Sequence, residues 1–212
     1  MPNWCENDLW ISGPDVDVIL EFVKTKGKEL DKTYLFDFNE ILPMPKELED
    51  TAESSFDNLG MFALGGPDVE NSFSWVLRDE KIIALGIKTL DELREHYRKT
   101  FPQTLERGAI SLRAYQATGF TSWYHWCNAN WGTKWNSANA QVRRQKSALL
   151  FKFDTAWSPP LPVIAALAAR FPKHKFTHKY YECGGGFQGR VVYMKGVVKE
   201  QDSSKYSGRR GG

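Results

Sequence analysis

Cysteine is scarce in this chain and poorly placed for covalent or metal chemistry. Cys5, Cys127 and Cys183 lie far apart, no C-x-x-C pair occurs, and an odd count leaves at least one thiol free. Such usage excludes a disulfide scaffold and fits a reducing, cytoplasmic compartment. Also missing is any apolar run near the ~20 residues that a membrane-spanning helix needs, and the N-terminus is neither basic nor followed by an apolar segment. Neither a membrane partner nor a secretory leader is expected. An excess of one charge is absent too: 28 Lys and Arg stand against 26 Asp and Glu, a net charge of +2. No global field therefore draws the protein to nucleic acid or anionic lipid, and a basic site has to be local. No period of 20 to 50 residues recurs, which excludes a solenoid. The four histidines do not repair the poverty of metal ligands. His174 and His178 are four apart, but they straddle a predicted helix-to-strand junction beside Lys173, Lys175 and Lys179, which repel a cation. No metal and no cofactor is expected.

What the chain has in quantity is aromatic surface. Hydrophobic residues make up 42% and aromatics 14% of its 212 positions, enough for one substantial core or two small ones and too much for intrinsic disorder. Four of the eight tryptophans fall within residues 121–136, Thr-Ser-Trp-Tyr-His-Trp-Cys-Asn-Ala-Asn-Trp-Gly-Thr-Lys-Trp-Asn. An indole has a large flat face and one N–H donor, so this stretch suits either a core whose amides satisfy buried backbone or a cleft that stacks a flat ring. With Ser122 as cap and Gly132 as stop, a short helix puts Trp123, Trp126 and Asn130 on one face, which reads as core. Trp131, Lys134 and Trp135 then lie on the following loop, and the polar segment 132–136 gains little from an interior position.

Along the chain, residues 6–12 read as a strand, 15–27 as a helix carrying Val16, Ile19, Leu20 and Val23, and 34–41 as a second strand stopped by Pro43 and Pro45. Residues 46–66 are acidic and then glycine-rich, a short helix and a loop. A strand near 72–77, an amphipathic helix at 90–100 and a strand at 109–115 follow. Alternation is clearest at Leu149, Phe151, Phe153, Thr155 and Trp157. Residues 161–171 make a helix with Pro162 in its first turn, and 175–182 and 190–198 are strands joined by Cys-Gly-Gly-Gly-Phe-Gln-Gly. That glycine loop lacks the Lys-Ser/Thr of a phosphate-binding loop and precedes a strand, so it reads as a wide hairpin turn. Residues 201–212 are expected to be a disordered basic tail. The two β-α-β units pair as a split βαββαβ sheet, an α+β, ferredoxin-like domain over 1–200, helices on one face and an insertion at 46–146 between its halves.

The run from Ser122 to Asn136 resembles the signature of the Api-type ferredoxin-like (YubB-like) proteins of bacteriophages and plasmids. So do Met-Pro-Asn-Trp-Cys-Glu-Asn at 1–7, Phe-Asn-Glu-Ile-Leu-Pro-Met-Pro at 38–45, Thr-Ala-Trp-Ser-Pro-Pro at 155–160 and Tyr-Glu-Cys-Gly-Gly-Gly-Phe-Gln-Gly at 181–189. The resemblance implies a ferredoxin-like fold and a mobile-element origin, and it carries over no catalytic residues.

Three functional expectations follow. The first is a non-enzymatic protein whose cleft holds a nucleotide-like small molecule through Trp131, Trp135, Lys134, Asn130, Asn136 and Tyr124, with Phe187, Gln188 and Arg190 reaching from the glycine loop. In a mobile element such a protein suits sequestration of a host immune signal. The second is a binding module for nucleic acid, through Arg143, Arg144, Lys146 and the tail's Arg209 and Arg210, or for a host protein. The third is a hydrolase acting on a nucleotide through His125, Cys183 or Glu182. A sheet with one uncovered face is also compatible with a homodimer. Trp4 is expected to plug one end of the core.

Overall fold

The computed structural model describes residues 3–25 and 34–208. The chain divides into two compact units, residues 1–43 with 127–212, and residues 44–126.

The first unit is built on a six-stranded sheet. Its elements are β1 (Trp4–Ser12), α1 (Asp17–Phe22), α2 (Phe38–Ile41), β2 (Ala138–Gln145), β3 (Ala148–Ala156), α9 (Leu161–Arg170), β4 (Lys175–Glu182), β5 (Phe187–Met194) and β6 (Val197–Lys205). The strand order is β2-β3-β1-β4-β5-β6, and every neighbouring pair is antiparallel. Strands β2-β3-β1-β4 with α1 and α9 form the βαββαβ core of an α+β, ferredoxin-like fold, and β5 and β6 extend it beyond β4. Alternation assigns the faces: Cys5, Asn7, Leu9 and Ile11 of β1 are buried, whereas Trp4, Glu6, Trp10 and Ser12 are exposed. On the inner face lie Leu149, Phe151, Phe153 and Phe176, against Val163, Ile164, Leu167 and Ala168 of α9. Pro159 and Pro160 stop β3, and Pro162 occupies the first turn of α9, where a missing N–H costs no hydrogen bond.

Residues 34–41 are not the second strand. Tyr34, Phe36 and Phe38 alternate with polar residues as a strand would, but Asp37 caps α2, its carboxylate accepting from the Asn39 N–H at 2.9 Å. Phe36 and Phe38 are fully buried, and Phe36 stacks on Phe153 at 4.9 Å. The period of two therefore serves core filling without a strand ladder. Ala138–Gln145 supplies the second strand of the βαββαβ set, so the inserted unit interrupts the first β-α-β and does not separate two complete halves. Residues 201–205, expected to be disordered, belong to β6. Gly27 and the tail arginines Arg209 and Arg210 fall outside the described residues.

The second unit is helical: α3 (Ser55–Ala63), α4 (Ser72–Val76), α5 (Glu80–Ala84), α6 (Leu90–Thr100) and α7 (Leu105–Thr118), with α8 (Trp123–Asn130) beginning in it. The expected strands at 72–77 and 109–115 are helices α4 and α7. α6, expected as an amphipathic helix at 90–100, starts on a capping box between Thr89 and Glu92. α3 and α7 approach backbone to backbone at Gly60 and Gly108, where a Cβ on Gly108 would lie 2.1 Å from the Gly60 carbonyl carbon. A separate core forms around Phe62, Phe73, Leu93 and Tyr97, with Phe62 stacked on Phe73 at 4.0 Å.

Candidate functional site

The loop after α8 is pinned to the turn after β3 by short polar contacts. Thr133, fully buried, donates its hydroxyl to the Ala156 carbonyl at 2.8 Å, and the Ser158 hydroxyl donates to the Gly132 carbonyl at 2.5 Å. Thr155 Oγ1 donates to the Ser158 carbonyl at 2.7 Å. Gly132 has φ 77°, and its Cα faces Pro162 so closely that a Cβ would sit 2.9 Å from the ring, so both the backbone and the packing require glycine. The Trp157 N–H donates to the Asn3 carbonyl at 2.9 Å, which fastens the start of β1 to the same turn. Gly132, Thr133 and Ser158 thus serve as pins, and the side chains they present are Trp4, Lys134, Trp135 and Trp157.

These four form one surface cluster. The indoles of Trp4, Trp135 and Trp157 are 38%, 38% and 42% exposed. Trp135 and Trp157 lie 28° from parallel with centroids 6.5 Å apart, and Trp4 is tilted against Trp135 at 6.3 Å. The Lys134 ammonium stands 4.9 Å from the Trp135 ring and 5.2 Å from the Trp157 ring, a cation–π arrangement at the rim of the gap between them. Trp157 has φ 68°, a left-handed backbone that costs a non-glycine residue roughly 1–2 kcal/mol. A bulky residue is held in an unfavourable conformation with much of its ring in water, a pattern that accompanies function more often than packing.

The remaining sequence-derived candidates are distributed differently. Trp131 is 4% exposed, donates Nε1–H to the Leu42 carbonyl at 2.9 Å and meets Phe38 edge to face, so its ring is core and offers no stacking face. Asn136 is structural: Oδ1 accepts from the Phe38 N–H at 2.9 Å, and Nδ2 donates to Asp37 at 2.7 Å. Asn130 is half-buried at the end of α8, and Tyr124 belongs to the helical unit. Phe187, Gln188 and Arg190 are on β5, two strands from β1. Gln188 donates to Ser204 at 3.1 Å and Arg190 pairs with Glu200 at 2.6 Å, over a hollow of about 400 Å³. Trp4, expected as a core plug, and Trp157, expected as part of a strand, are the members that sequence reasoning missed. The signal for Trp157 is its place directly before Ser-Pro-Pro, where the strand ladder ends.

Arg143 and Arg144 do not form one basic patch. As successive residues of β2, opposite Leu150 and Leu149, they point to opposite faces, and Arg144 is paired with Asp17 at 2.7 Å. Lys146 occupies the turn between β2 and β3 with φ 46°. Two of the three thiols, Cys5 and Cys127, are buried. Burial pushes Cys5 and Cys127 up to about 12, which disfavours the thiolate. Glu182 accepts from the Gly184 and Gly185 N–H groups and so shapes the glycine turn. His125 lies in the helical unit, whereas Glu182 and Cys183 lie in the sheet unit. Among the described residues no group of three or more His, Cys, Asp or Glu is placed to hold a metal ion, and no helix is long and apolar enough to cross a membrane.

Comparison with known proteins addresses the fold. No curated protein matches the chain. The family model of the ferredoxin-like domain in Api92-like protein matches residues 130–209, from the end of α8 through β6. The crystal structure of protein api92 from Yersinia pseudotuberculosis is similar over 99% of both chains, with a TM-score of 0.50 at 17% identity. Together with the β2-β3-β1-β4 topology, these likenesses show that the chain shares the fold of the api92 protein and that its residues 130–209 match the ferredoxin-like domain of Api92-like proteins.

Proposed function

We propose that the protein is a non-enzymatic binder of a nucleotide-like small molecule, taken up at Trp4, Trp135 and Trp157 with Lys134 on its anionic group. The observation that carries this reading is the pair of exposed, nearly parallel indoles with an ammonium at their rim. Their 6.5 Å centroid separation is close to twice the ~3.4 Å interval of stacked bases. Stacking on an indole contributes about 1–3 kcal/mol per base, and the lysine supplies charge to a phosphate without base specificity. The strained backbone at Trp157 fits a side chain held out for a ligand at some cost to folding. For a protein of bacteriophage or plasmid origin, retention of such a ligand in the host cytoplasm would remove a nucleotide signal from circulation, an activity of counter-defence that needs no catalytic residue.

The test is titration calorimetry with adenosine 5′-monophosphate and with ribose 5-phosphate, which lacks the base. The nucleotide should bind and the sugar phosphate should bind at least about 10-fold more weakly. Trp135→Ala and Trp157→Gly should each weaken the nucleotide by about 10-fold or more. Trp157→Gly relieves the left-handed backbone but also removes a partly buried indole, so each variant is first shown to be folded by circular dichroism at the temperature of the titration. Equal binding of both probes, or nucleotide affinity unchanged in both variants, would refute the reading.

A further inference from the structure

The helical unit contains a cavity of about 400 Å³, within the range of small-molecule sites. Leu59 of α3, Phe73 and Val76 of α4 and Tyr97 of α6 form its apolar wall. The rim is acidic: Glu53 and Glu70 line it, and among the described residues no Lys or Arg does. Asn58 and His125 add hydrogen-bonding groups, the latter from the aromatic signature stretch.

Glu70 is placed there by an unusual turn. Glu70 and Asn71 are both left-handed, at φ 55° and 56°, a conformation that asparagine tolerates and glutamate disfavours. The turn is fixed by Asp68, whose carboxylate accepts from the Phe73 N–H at 2.8 Å, the Ser74 N–H at 2.9 Å and the Ser74 hydroxyl at 2.5 Å. Asp68 is thus committed to the turn, and the carboxylate that this turn contributes to the cavity lining is that of Glu70.

An apolar chamber with aromatic faces and two carboxylates at its mouth selects by charge as well as by shape. An anion entering it would meet both glutamates, and a neutral apolar molecule would leave them unused. A cation on an apolar stem satisfies both parts, its head against the carboxylates and near the rings of Phe73 and Tyr97. We infer that this cavity is a second binding site, specific for a small organic cation, a primary amine on an aromatic or aliphatic stem. The site is separate from the tryptophan cluster and does not rest on the function proposed for it.

Ligand-observed NMR and calorimetry on the full chain would test the assignment, with benzylamine and 2-phenylethylamine as probes and benzyl alcohol as the neutral control. At least one amine should bind, about 10-fold or more tightly than the alcohol. Glu70→Gln combined with Glu53→Gln alters only rim residues and should remove most of that preference with the fold intact by circular dichroism. Val76→Trp, which fills the chamber, should abolish binding of amine and alcohol alike. Amines weaker than about 10 mM, equal affinity for amine and alcohol, or an amine preference that survives the double substitution would each overturn the inference.

Discussion

Lowering the pH should destabilise the sheet unit through His178. This imidazole is fully buried on the inner face of β4, and its Nε2 lies 3.0 Å from Asn7 Oδ1. Asn7 Nδ2 donates to the Cys5 carbonyl at 2.9 Å, the Phe153 carbonyl at 3.3 Å and Thr155 Oγ1 at 2.9 Å, which orients Oδ1 toward the histidine as an acceptor. Nε2 therefore carries the proton, and Nδ1 is buried without a hydrogen-bond partner. Protonation at Nδ1 would bury a charged N–H with no acceptor, and burial accordingly pushes the group down to about 3 from its ordinary 6.5. Because the folded value is the lower one, the unfolded chain takes up the proton first. The stability contribution is complete above pH 6.5 and is lost as pH falls through the window toward 3, at about 1.4 kcal/mol per pH unit. From pH 6.5 to pH 5 the loss from this one residue is about 2 kcal/mol.

The assay pairs the wild type with His178→Gln, which retains a donor for Asn7 and cannot titrate. Urea unfolding of both, followed by β-sheet ellipticity from pH 8 to pH 5, removes the shared carboxylate titrations by subtraction. The stability advantage of wild type over His178→Gln should shrink by about 2 kcal/mol across that range. In parallel, the His178 ring protons should show no titration shift by NMR down to pH 5. A difference that stays constant with pH, or a ring that titrates near 6.5, would refute the burial argument.

Two further substitutions probe the two units separately. Gly108→Ala places a methyl 2.1 Å from the Gly60 backbone, so α3 and α7 must separate. Thermal melting should register about 3 kcal/mol of destabilisation or more in the helical unit, whereas an alanine tolerated without loss would show that the two helices do not meet at these glycines. Asn136→Ala strips a partner from the Phe38 N–H and from Asp37, at a cost of about 1–3 kcal/mol by urea unfolding. If it instead left stability intact and abolished ligand binding, Asn136 would be a ligand contact and its structural role here would be wrong.

The sequence by itself determined the elements whose signals are local. Alternation along residues 149–157 marks β3, and Pro162 with the apolar spacing after it marks α9. The amphipathic pattern at 90–100 marks α6, and Ser122 and Gly132 bracket α8 closely. It also marked the aromatic stretch at 121–136, two of whose residues, Lys134 and Trp135, join the exposed tryptophan cluster. Tertiary structure decided what local pattern leaves open. Residues 34–41 have a strand's period, but Asp37 found its partners in Asn39 and Asn136 and the rings of Phe36 and Phe38 found a core, so no ladder was needed. The exposure of Trp131 and Trp135, on the loop after α8, was likewise undecidable from spacing, since an indole packs equally well into a core or onto a surface. Trp131 went inward because the Leu42 carbonyl and Phe38 lay there to receive it. Trp135 stayed outward because the pins at Thr133 and Ser158 set its loop against the turn carrying Trp157, which lies 22 residues further on, and against Trp4 at the chain's beginning. A cluster assembled from three distant segments leaves no spacing to read, and only their meeting in space reveals it.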